Sequence, residues 1–407
     1  MARYVLKFGG TSVANVTRLE HVAEIVKQEV EAGNQIVVVV SAMAGSTNEL
    51  VGYAHSLCPH QATLEHDVVL AAGEQITSGL LALALQGLGL KARSFLAWQI
   101  PIQTDDSPSH ARILDIPTAE LEKCFKDKII PIIAGFQGVT TKNRITTLGR
   151  GGSDTTAVAL AAALSADRCD IYTDVDGVYT ADPRLVAKAS KLTSITYEEM
   201  FEMAAQGAKV LQARSVELAM KHKVNLRVLS SFIESEGTYI TSKRNLMEST
   251  VISGIAHNQN EAKITLLDIP NEAGNIAFIF GKLTENLIGV DMIVQSASLD
   301  NKMNITFTLL RSDLDRAVPV LEKIKKELNF SEIVIDNEIV KISVIGIGMK
   351  SNMEVASTLF KTLAEHNIHI QLISTSEIKI SVIIAQHYTP LAVTALHTAF
   401  DLDEKRI

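Results

Sequence analysis

The chain has 407 residues, of which 47% are hydrophobic and 21% are charged, and its net charge is −8. This length allows two or three domains with ample cores, and the composition is that of a soluble globular protein. The mild acidity gives no reason to expect nucleic-acid binding, which usually needs basic patches. The three cysteines lack metal or redox spacing, the N-terminus reaches a glycine pair too early for a signal peptide, and the apolar run at residues 37–40 is too short to span a membrane. We therefore expect a cytoplasmic protein that contacts neither nucleic acid nor membrane.

The first 40 residues predict a β-loop-α-β unit. Residues 4–8 read as a strand, and residues 19–30 place apolar side chains on one helical face. Thr17 and Glu20 have the spacing of a capping box at the start of that helix. Residues 35–40 are apolar throughout, as expected for a parallel strand that is covered on both faces.

Lys7 lies at the end of the first predicted strand, directly before Gly9 and Gly10. A lysine at a strand end is usually just solvated. The two glycines in front of a helix favour a second interpretation, in which Lys7 contacts a phosphate group.

Residues 146–184 carry the strongest indication of a ligand site. Gly149, Gly151 and Gly152 enclose Arg150, and an alanine-rich helix follows. Glycines let the backbone approach an anion, and a helix start offers unpaired N–H groups and a positive dipole end. One such motif alone is equally often an ordinary turn. Here a short strand and an aspartate-rich loop follow, and α/β sheets bind their ligands where such strands end.

Two further features point to the same region. Residues 41–48 form a small, polar loop after the second strand, and residues 68–85 read as a helix with Glu74 near its start. The neighbours of Glu74 are apolar, so we expect a partly buried carboxylate that needs a partner. That partner is either a structural salt bridge or the ammonium group of a substrate.

Apolar strands and amphipathic helices alternate from residue 1 to about residue 230. They include strands at 129–134 and 225–229 and a long helical region at 198–221. This alternation predicts a mostly parallel sheet with helices on both faces.

From about residue 262 the sequence repeats itself. Residues 263–269 match residues 341–347, and each copy reads as a ferredoxin-like βαββαβ unit. The first copy can finish with a strand at 332–335, whereas the second ends one strand short. We expect the strand at 251–256 to complete it, so that the first copy is inserted within the second. The expected domains are residues 1–245, 262–337 and 338–407, the last completed by residues 250–257.

Five motifs together resemble those of the aspartokinases, in that family's order. They lie at residues 5–13, 41–43, 73–74, 147–154 and 172–184. The repeats resemble paired ACT domains, which bind amino-acid effectors. The resemblance covers nearly the whole chain and implies a monofunctional enzyme. The implied fold is an α/β amino-acid-kinase sheet, mostly parallel and sandwiched by helices, followed by two ferredoxin-like ACT domains.

The implied reaction is ATP-dependent phosphorylation of the side-chain carboxylate of L-aspartate to 4-phospho-L-aspartate. It is the first step towards lysine, threonine, methionine and diaminopimelate. The residues agree with this chemistry, because a carboxylate acceptor with a pKa of about 3.9 arrives ionised and needs no base. Phosphoryl transfer mainly needs positioning and cations that offset the charge of two approaching anions.

Site roles follow from the residues and the resemblance together. Lys7 is expected to stabilise the charge shifting between the β- and γ-phosphates, helped by N–H groups of Gly9 and Gly10. Asp154 is expected to orient Lys7 and the backbone cradle. The remaining aspartate contacts are expected at Arg150 for the α-carboxylate, Glu74 for the α-ammonium, and Ser41, Thr47, Gly152 and Ser153. The nucleotide contacts are expected at Lys7, Phe8, Gly9, Gly10, Thr173, Asp174, Tyr179, Asp182, Arg184, Lys209 and Val210. Mg2+ is expected to arrive on ATP, without a protein cage of its own.

The repeats are expected to bind lysine, threonine or both, and to pair across subunits of a homo-oligomer that is at least a dimer. Edge strands of such small sheets invite pairing between chains. The effector contacts are expected at Asn271, Gly274, Asp291 and Gln295 in the first copy, and at Asn367, Ile368 and Thr375 in the second. Relatives often have Asp-x-Pro-Gly where this chain has residues 271–274, which leaves the identity of the effector open.

Two alternatives stay open at this point. One is an amino-acid kinase of the same fold that acts on acetylglutamate, glutamate, uridylate or carbamate. The other is a non-catalytic amino-acid sensor. Such a sensor is expected to lack Lys7, Arg150 or Asp154, and all three are present.

Overall fold

The computed structural model describes residues 1–58, 63–208, 210–242, 252–297, 301–349 and 352–403. The strands of the first 242 residues are β1 (Arg3–Phe8), β2 (Gln35–Val40), β3 (Ala92–Phe95), β4 (Gln103–Thr104), β5 (Ile113–Asp115), β6 (Ile130–Ala134), β7 (Gln137–Val139), β8 (Ile145–Thr147), β9 (Arg168–Thr173), β10 (Ser194–Thr196), β11 (Leu226–Ser230) and β12 (Thr238–Thr241). The helices of this part are α1 (Val16–Glu31), α2 (Ser46–Leu57), α3 (Leu64–Gly87), α4 (Ala119–Lys126), α5 (Gly152–Ala163), α6 (Tyr197–Ala205) and α7 (Ala213–His222).

The main sheet has the strand order β10-β12-β11-β9-β1-β2-β6-β3. Its neighbouring strands run parallel, except for the antiparallel pair β11 and β12. This confirms the predicted mostly parallel sheet. In the register of β1, Lys7 lies opposite Val39 of β2 and Ile171 of β9. The carboxyl ends of these three strands therefore meet at one edge.

Helices cover both faces of this sheet. Val5 of β1 is buried in the cluster that contains the α5 side chains, whereas Leu6 and Phe8 are buried in the cluster of α1 and α3. Because alternate side chains of a strand point to opposite faces, Lys7 lies on the same face as Val5, towards α5. This parity places the lysine beside the glycine-rich helix start.

The structure corrects three details of the predicted elements. Helix α1 is capped by the side chain of Asn15, which accepts a hydrogen bond from the backbone N–H of Arg18, and not by a Thr17 capping box. Glu74 lies in the middle of α3 rather than near its start. The predicted helix at 198–221 is two helices, α6 and α7.

A small sheet of order β5-β4-β7-β8, which the sequence did not indicate, packs beside α3.

Helix α3 is long and apolar enough, by composition alone, to cross a membrane. Its residues Leu81 and Leu85 are fully buried in the cluster formed with α1 and β2. This is the usual position of a core helix in a folded domain.

The C-terminal part forms two separate four-stranded sheets. Its elements are β13 (Gly254–Asn258), β14 (Glu261–Pro270), α8 (Ala273–Glu285), β15 (Val290–Ala297), β16 (Lys302–Leu310), α9 (Leu314–Leu328), β17 (Glu332–Asp336), β18 (Ile339–Ile345), α10 (Met353–Glu365), β19 (Leu372–Thr375), β20 (Lys379–Ala385) and α11 (Thr389–Ala399). The strand orders are β15-β16-β14-β17 and β13-β18-β20-β19. Strand β13 pairs antiparallel with β18, with Asn258 opposite Lys341. Val251, the first residue of the strand expected at 251–256, lies outside the described residues.

A buried ion pair joins the two C-terminal sheets. The Nζ atom of Lys341 lies 2.7 Å from Oε1 of Glu261, and both side chains are almost fully buried. Lys341 also pairs with the carboxylate of Asp291 on β15. Two carboxylates therefore hold this lysine in the charged state, and their attraction raises the pKa of Lys341 against the opposing effect of burial.

The second C-terminal sheet also contacts the N-terminal part. The backbone N–H of Ile255 donates to the carbonyl of Thr180 at 2.7 Å, and Nε2 of His397 lies 2.8 Å from the Thr180 hydroxyl. Nearby, Lys379 of β20 forms an ion pair with Glu202 of α6 at 2.8 Å. The segment after β9 is thus held by the C-terminal part.

Candidate active site

A cavity of about 320 Å³ lies where β1 and β2 end. Its walls come from the loop after β2, the middle of α3, and the loop that leads into α5. All six residues expected to bind aspartate line it, as do both expected catalytic residues: Ser41, Thr47, Glu74, Arg150, Gly152, Ser153, Lys7 and Asp154. The structure therefore brings together side chains that are up to 147 residues apart in the sequence (7 to 154).

Lys7 and Asp154, which both line this cavity, form an ion pair. The Nζ atom lies 2.6 Å from Oδ1 of Asp154, and the two side chains are 10% and 11% exposed. Asp154 is in the first turn of α5, where a carboxylate also interacts favourably with the helix dipole. The pair fixes the ammonium group of Lys7 close to the start of α5.

Glu74 also lines the cavity and is 3% exposed. Its Oε1 accepts a hydrogen bond from the backbone N–H of Ala42 at 3.0 Å, whereas Oε2 is buried without a hydrogen-bond partner among the described residues. Burial raises the pKa of Glu74 from 4.5 to about 7, although the bond from Ala42 opposes the shift. An incompletely paired carboxylate next to a cavity is suited to receive a cationic group.

The loop before α5 has a backbone that requires glycine. Gly151 has a φ of +70°, and a Cβ atom there would stand 1.9 Å from Cγ of Gln212. The tight contact with Gln212 holds the loop against the start of α7. Arg150, between two glycines, is exposed and projects from this fixed loop at the cavity.

The expected nucleotide contacts lie mainly outside the cavity, in the loop that follows β9. The hydroxyl of Thr173 donates to Asp174, and Arg184 pairs with Asp182 at 2.7 Å. The hydroxyl of Tyr179 donates to Asp176 at 2.9 Å; burial and this carboxylate raise the pKa of Tyr179 to about 12.

Val210 is partly buried against the main core. Lys209 lies outside the described residues. Because β9 pairs with β1, the loop after β9 and Lys7 open at the same edge of the sheet.

The fold already uses groups of two expected nucleotide contacts, Gly9 and Phe8. The backbone N–H of Gly9 donates to the carbonyl of Tyr172 at 3.0 Å, so it is not free for a phosphate oxygen. The ring of Phe8 is fully buried and stacks on that of Tyr172, with 4.6 Å between centroids. Their neighbours Lys7 and Gly10, which are also expected nucleotide contacts, line the cavity.

The expected effector contacts fall on both C-terminal sheets. Asn271 and Gly274 lie at the start of α8, and Gln295 is exposed on β15. Asn367 and Thr375 are exposed in the second sheet. The fold already engages two of these residues. Asp291 pairs with Lys341, whereas Ile368 is 4% exposed within the core and its backbone N–H donates to the carbonyl of Leu363 at 2.9 Å.

Sequence reasoning missed two residues of the cavity wall. Phe136 has a φ of +69° and packs on Gly152, and Gln212 packs on Gly151. Phe136 follows an apolar strand in a glycine-flanked loop, which is a signal that could have found it. Gln212 stands in no motif, and its role depends on how α7 packs.

Comparison with known proteins agrees with this arrangement. Residues 2–230 match the model of the amino acid kinase family, and residues 342–400 match an ACT domain. An aspartate kinase of Stutzerimonas stutzeri is 52% identical over 404 residues, covering 99% of this chain and 98% of that protein. The chain belongs to the aspartokinase family.

Two solved aspartokinase structures have the same fold. E. coli aspartokinase III in complex with aspartate and ADP superposes with a TM-score of 0.82 and 25% identity, covering 97% of this chain and 99% of the other. The same enzyme in complex with lysine and aspartate gives a TM-score of 0.76 and 26% identity, covering 98% and 99%. The aspartokinase architecture thus extends over both the catalytic and the ACT parts. Membership also makes this chain an enzyme of the aspartate kinase class.

Proposed function

We propose that this aspartokinase transfers the γ-phosphoryl group of ATP to the side-chain carboxylate of L-aspartate, which yields 4-phospho-L-aspartate and ADP. The observation that carries the proposal is the single cavity in which Glu74, Arg150 and Lys7 meet. These groups can recognise an ammonium, a carboxylate and a phosphate respectively. The E. coli relative solved with aspartate and ADP supports the choice of substrates.

Glu74 and Arg150 are proposed to hold the two charged groups that every α-amino acid has. Among the described residues Oε2 of Glu74 has no hydrogen-bond partner, so an α-ammonium group would complete its hydrogen bonding. Arg150 can grip the α-carboxylate as a planar fork. Ser41, Thr47, Gly152 and Ser153 complete this half of the site.

Lys7 is proposed to stabilise the charge that develops as the phosphoryl group moves. Its pairing with Asp154 at 2.6 Å fixes it in advance, which is the arrangement that electrostatic catalysis needs. The start of α5 adds the positive end of a helix dipole. The acceptor arrives ionised and needs no base.

ATP is proposed to lie between Lys7 and the loop after β9, with contacts from Thr173, Asp174, Tyr179, Asp182, Arg184, Val210 and Lys209. Gly10 lines the cavity and can approach the phosphates. Mg2+ is proposed to arrive on ATP, where it neutralises phosphate charge. The described residues contain no group of three or more His, Cys, Asp or Glu that could hold a metal ion.

The chain is proposed to divide into a catalytic domain at 1–245 and two ACT domains at 262–337 and 338–407, the last completed by residues 250–257. We propose that the two ACT domains pair between the subunits of a homodimer or larger oligomer. They are also proposed to bind lysine, threonine or both. The E. coli relative solved with lysine supports a lysine effector. Such regulation fits a cytoplasmic enzyme at the first step towards lysine, threonine and methionine.

The test is an assay of the purified protein with saturating MgATP, in which ADP release reports transfer to any acceptor and hydroxylamine traps the acyl phosphate formed from a carboxylate. The acceptors are aspartate, glutamate, acetylglutamate, carbamate and uridylate, and lysine and threonine are added singly and together. We expect product with aspartate and inhibition by at least one effector. Product with another acceptor only, or no trapped product at all, would contradict the proposed reaction. A lack of response to both amino acids would leave the ACT domains a structural role.

A further inference from the structure

A carboxylate outside the cavity is held in an unusual way. Asp67, in the first turn of α3, is 0% exposed. It accepts from the backbone N–H of Ser109 at 3.0 Å and of Thr147 at 2.9 Å, and from both hydroxyls, at 3.1 Å and 2.9 Å. No lysine, arginine or histidine pairs with it in the part of the chain that the structure describes. Neutral donors alone thus satisfy this buried charge.

These hydrogen bonds connect the two elements that carry the proposed substrate-binding charges. Asp67 precedes Glu74 by seven residues, about two helical turns, so both lie on the same side of α3. Thr147 ends β8, three residues before Arg150. The Asp67 carboxylate is therefore a direct link between the helix of Glu74 and the loop of Arg150.

The second partner of Asp67 also braces that loop. Ser109 has a φ of +61°, and its carbonyl oxygen lies 2.8 Å from the place where a Cβ of Gly149 would stand. Arg214 also donates to the carbonyls of Leu148 at 2.6 Å and Ala111 at 2.7 Å. Hydrogen bonds to both Asp67 and Arg214 thus hold the loop.

We propose that Asp67 is a positioning residue that sets the separation between Glu74 and Arg150. This separation then matches the distance between the ammonium and carboxylate groups of an α-amino acid. The inference rests on the proposed roles of those two residues. Small errors in such a separation are costly, because binding requires both charged groups to be met at once. Asp67 acts on aspartate only through its two neighbours and touches no substrate.

The test compares Asp67→Ala with Asp67→Asn in the full-length enzyme. We expect Asp67→Ala to raise the KM for aspartate about tenfold or more, with the KM for ATP unchanged, since the loop loses a charged hydrogen-bonding partner. Asp67→Asn should restore most of the affinity. Its amide oxygen can accept from the Thr147 N–H, and the two hydroxyls can turn to accept from its NH2 group.

Three further variants sharpen the result. Glu65→Ala is the control and should leave both KM values unchanged. Glu65 lies on the same turn of α3, but its side chain is exposed and pairs with Arg144. In an Arg150→Lys background, Asp67→Ala should raise the aspartate KM by a smaller factor than in the wild type, because the two residues act together. Thr147→Val, which removes the hydroxyl that donates to Asp67, should also raise the aspartate KM. If Asp67→Ala does not fold, this variant tests the proposed role of Asp67 instead.

Equal increases in both KM values, or no increase in either, would overturn the inference. So would full additivity with Arg150→Lys. If the wild-type protein itself fails to phosphorylate aspartate, the proposed function fails first, and the two failures are thereby distinguished.

Discussion

At the scale of single residues, the Lys7–Asp154 pair combines a stability role with the proposed catalytic one. We expect Lys7→Ala to lower kcat by roughly 10²–10³-fold, the usual loss for one preorganised charge contact. It should also destabilise the fold by roughly 3–5 kcal/mol, because Asp154 is left buried and unpaired. Steady-state kinetics and thermal unfolding measure the two effects.

A double variant separates these effects. Lys7→Ala combined with Asp154→Ala removes the unpaired charge, so stability should recover in part while kcat stays low. Lys27→Ala on α1, a partly exposed lysine, is the control and should change neither quantity appreciably. Near-normal turnover of Lys7→Ala would remove the lysine from the proposed mechanism.

Glu74 should give the enzyme a pH dependence near neutrality. Its pKa is raised to about 7 in the folded free protein, and only the ionised form can hold an ammonium group. We expect kcat/KM for aspartate to fall as the pH drops below about 7, since this parameter reports the free enzyme. In Glu74→Gln the inflection should vanish and the KM for aspartate should be high at every pH. An unchanged pH profile in the variant would contradict this role.

The raised pKa of Glu74 also makes the stability of the folded protein depend on pH. The folded state holds the Glu74 proton more tightly than the unfolded state, whose pKa is near 4.5. The free energy of unfolding therefore falls as the pH rises from about 4.5 to about 7. At pH 8, without substrate, Glu74→Gln should be more stable than the wild type by on the order of 3 kcal/mol. The difference should shrink as the pH approaches 4.5, and denaturant unfolding at the two pH values measures it.

Sequence motifs indicated side chains that the structure brings together at one cavity, because Lys7, Glu74 and Arg150 each stand in a distinctive local pattern. They could not show which groups the fold had already used. The N–H of Gly9 is bonded to Tyr172, and the carboxylate of Asp291 is bonded to Lys341. Both partners are distant in sequence, so only the packed structure reveals them.

At the scale of elements, the start of α1 shows how a local signal can mislead by two residues. Thr17 and Glu20 have capping-box spacing, but the chain is already helical at Val16, and Asn15 takes the capping position. We expect Asn15→Ala to destabilise the protein by about 1 kcal/mol, because it leaves the N–H of Arg18 without its acceptor. Thr17→Ala, at an exposed position inside the helix, should change the stability by only a few tenths of a kcal/mol, since alanine is itself a good helix former. Urea unfolding of both variants measures the difference. Equal effects would mean that the cap contributes little.

The division between α6 and α7 has a tertiary cause. Gly207 has a φ of +109°, and a Cβ atom there would stand 2.3 Å from the carbonyl oxygen of His257 on β13. The strand from the C-terminal part presses against the backbone where the helix would otherwise continue. Helical periodicity at 198–221 cannot encode such a contact, so the sequence indicated one helix where the structure has two.

At the scale of the whole molecule, a buried histidine links the C-terminal part to the loop proposed to bind ATP. Nε2 of His397 bonds to Thr180 at 2.8 Å, and Nδ1 bonds to Asp403 at 2.7 Å. Thr180 directly follows Tyr179. We therefore expect a shift of α11 to be passed to the proposed nucleotide loop through this contact.

We expect His397→Phe to raise the KM for ATP by roughly fivefold or more, the lower end of usual coupling between sites. The KM for aspartate should change little, because Glu74 and Arg150 lie on other elements. His369→Ala, at an exposed loop position, is the control. A rise in the aspartate KM instead, or an unchanged ATP KM, would contradict the expected effect of His397 on ATP binding.

The pairing of β13 with β18 brings together the two ends of the segment that forms the first C-terminal sheet. The chain leaves the second sheet after Asn258 and returns opposite it at Lys341, so the two ends of the intervening segment lie only about 5 Å apart. A two-residue Asn-Gly turn could join β13 to β18 as a plain hairpin. Lys341 would then lose Glu261 and Asp291 and would have to be replaced by a neutral residue. The shortened enzyme would keep its contact with Thr180, which makes excision a direct route to a kinase carrying a single regulatory module.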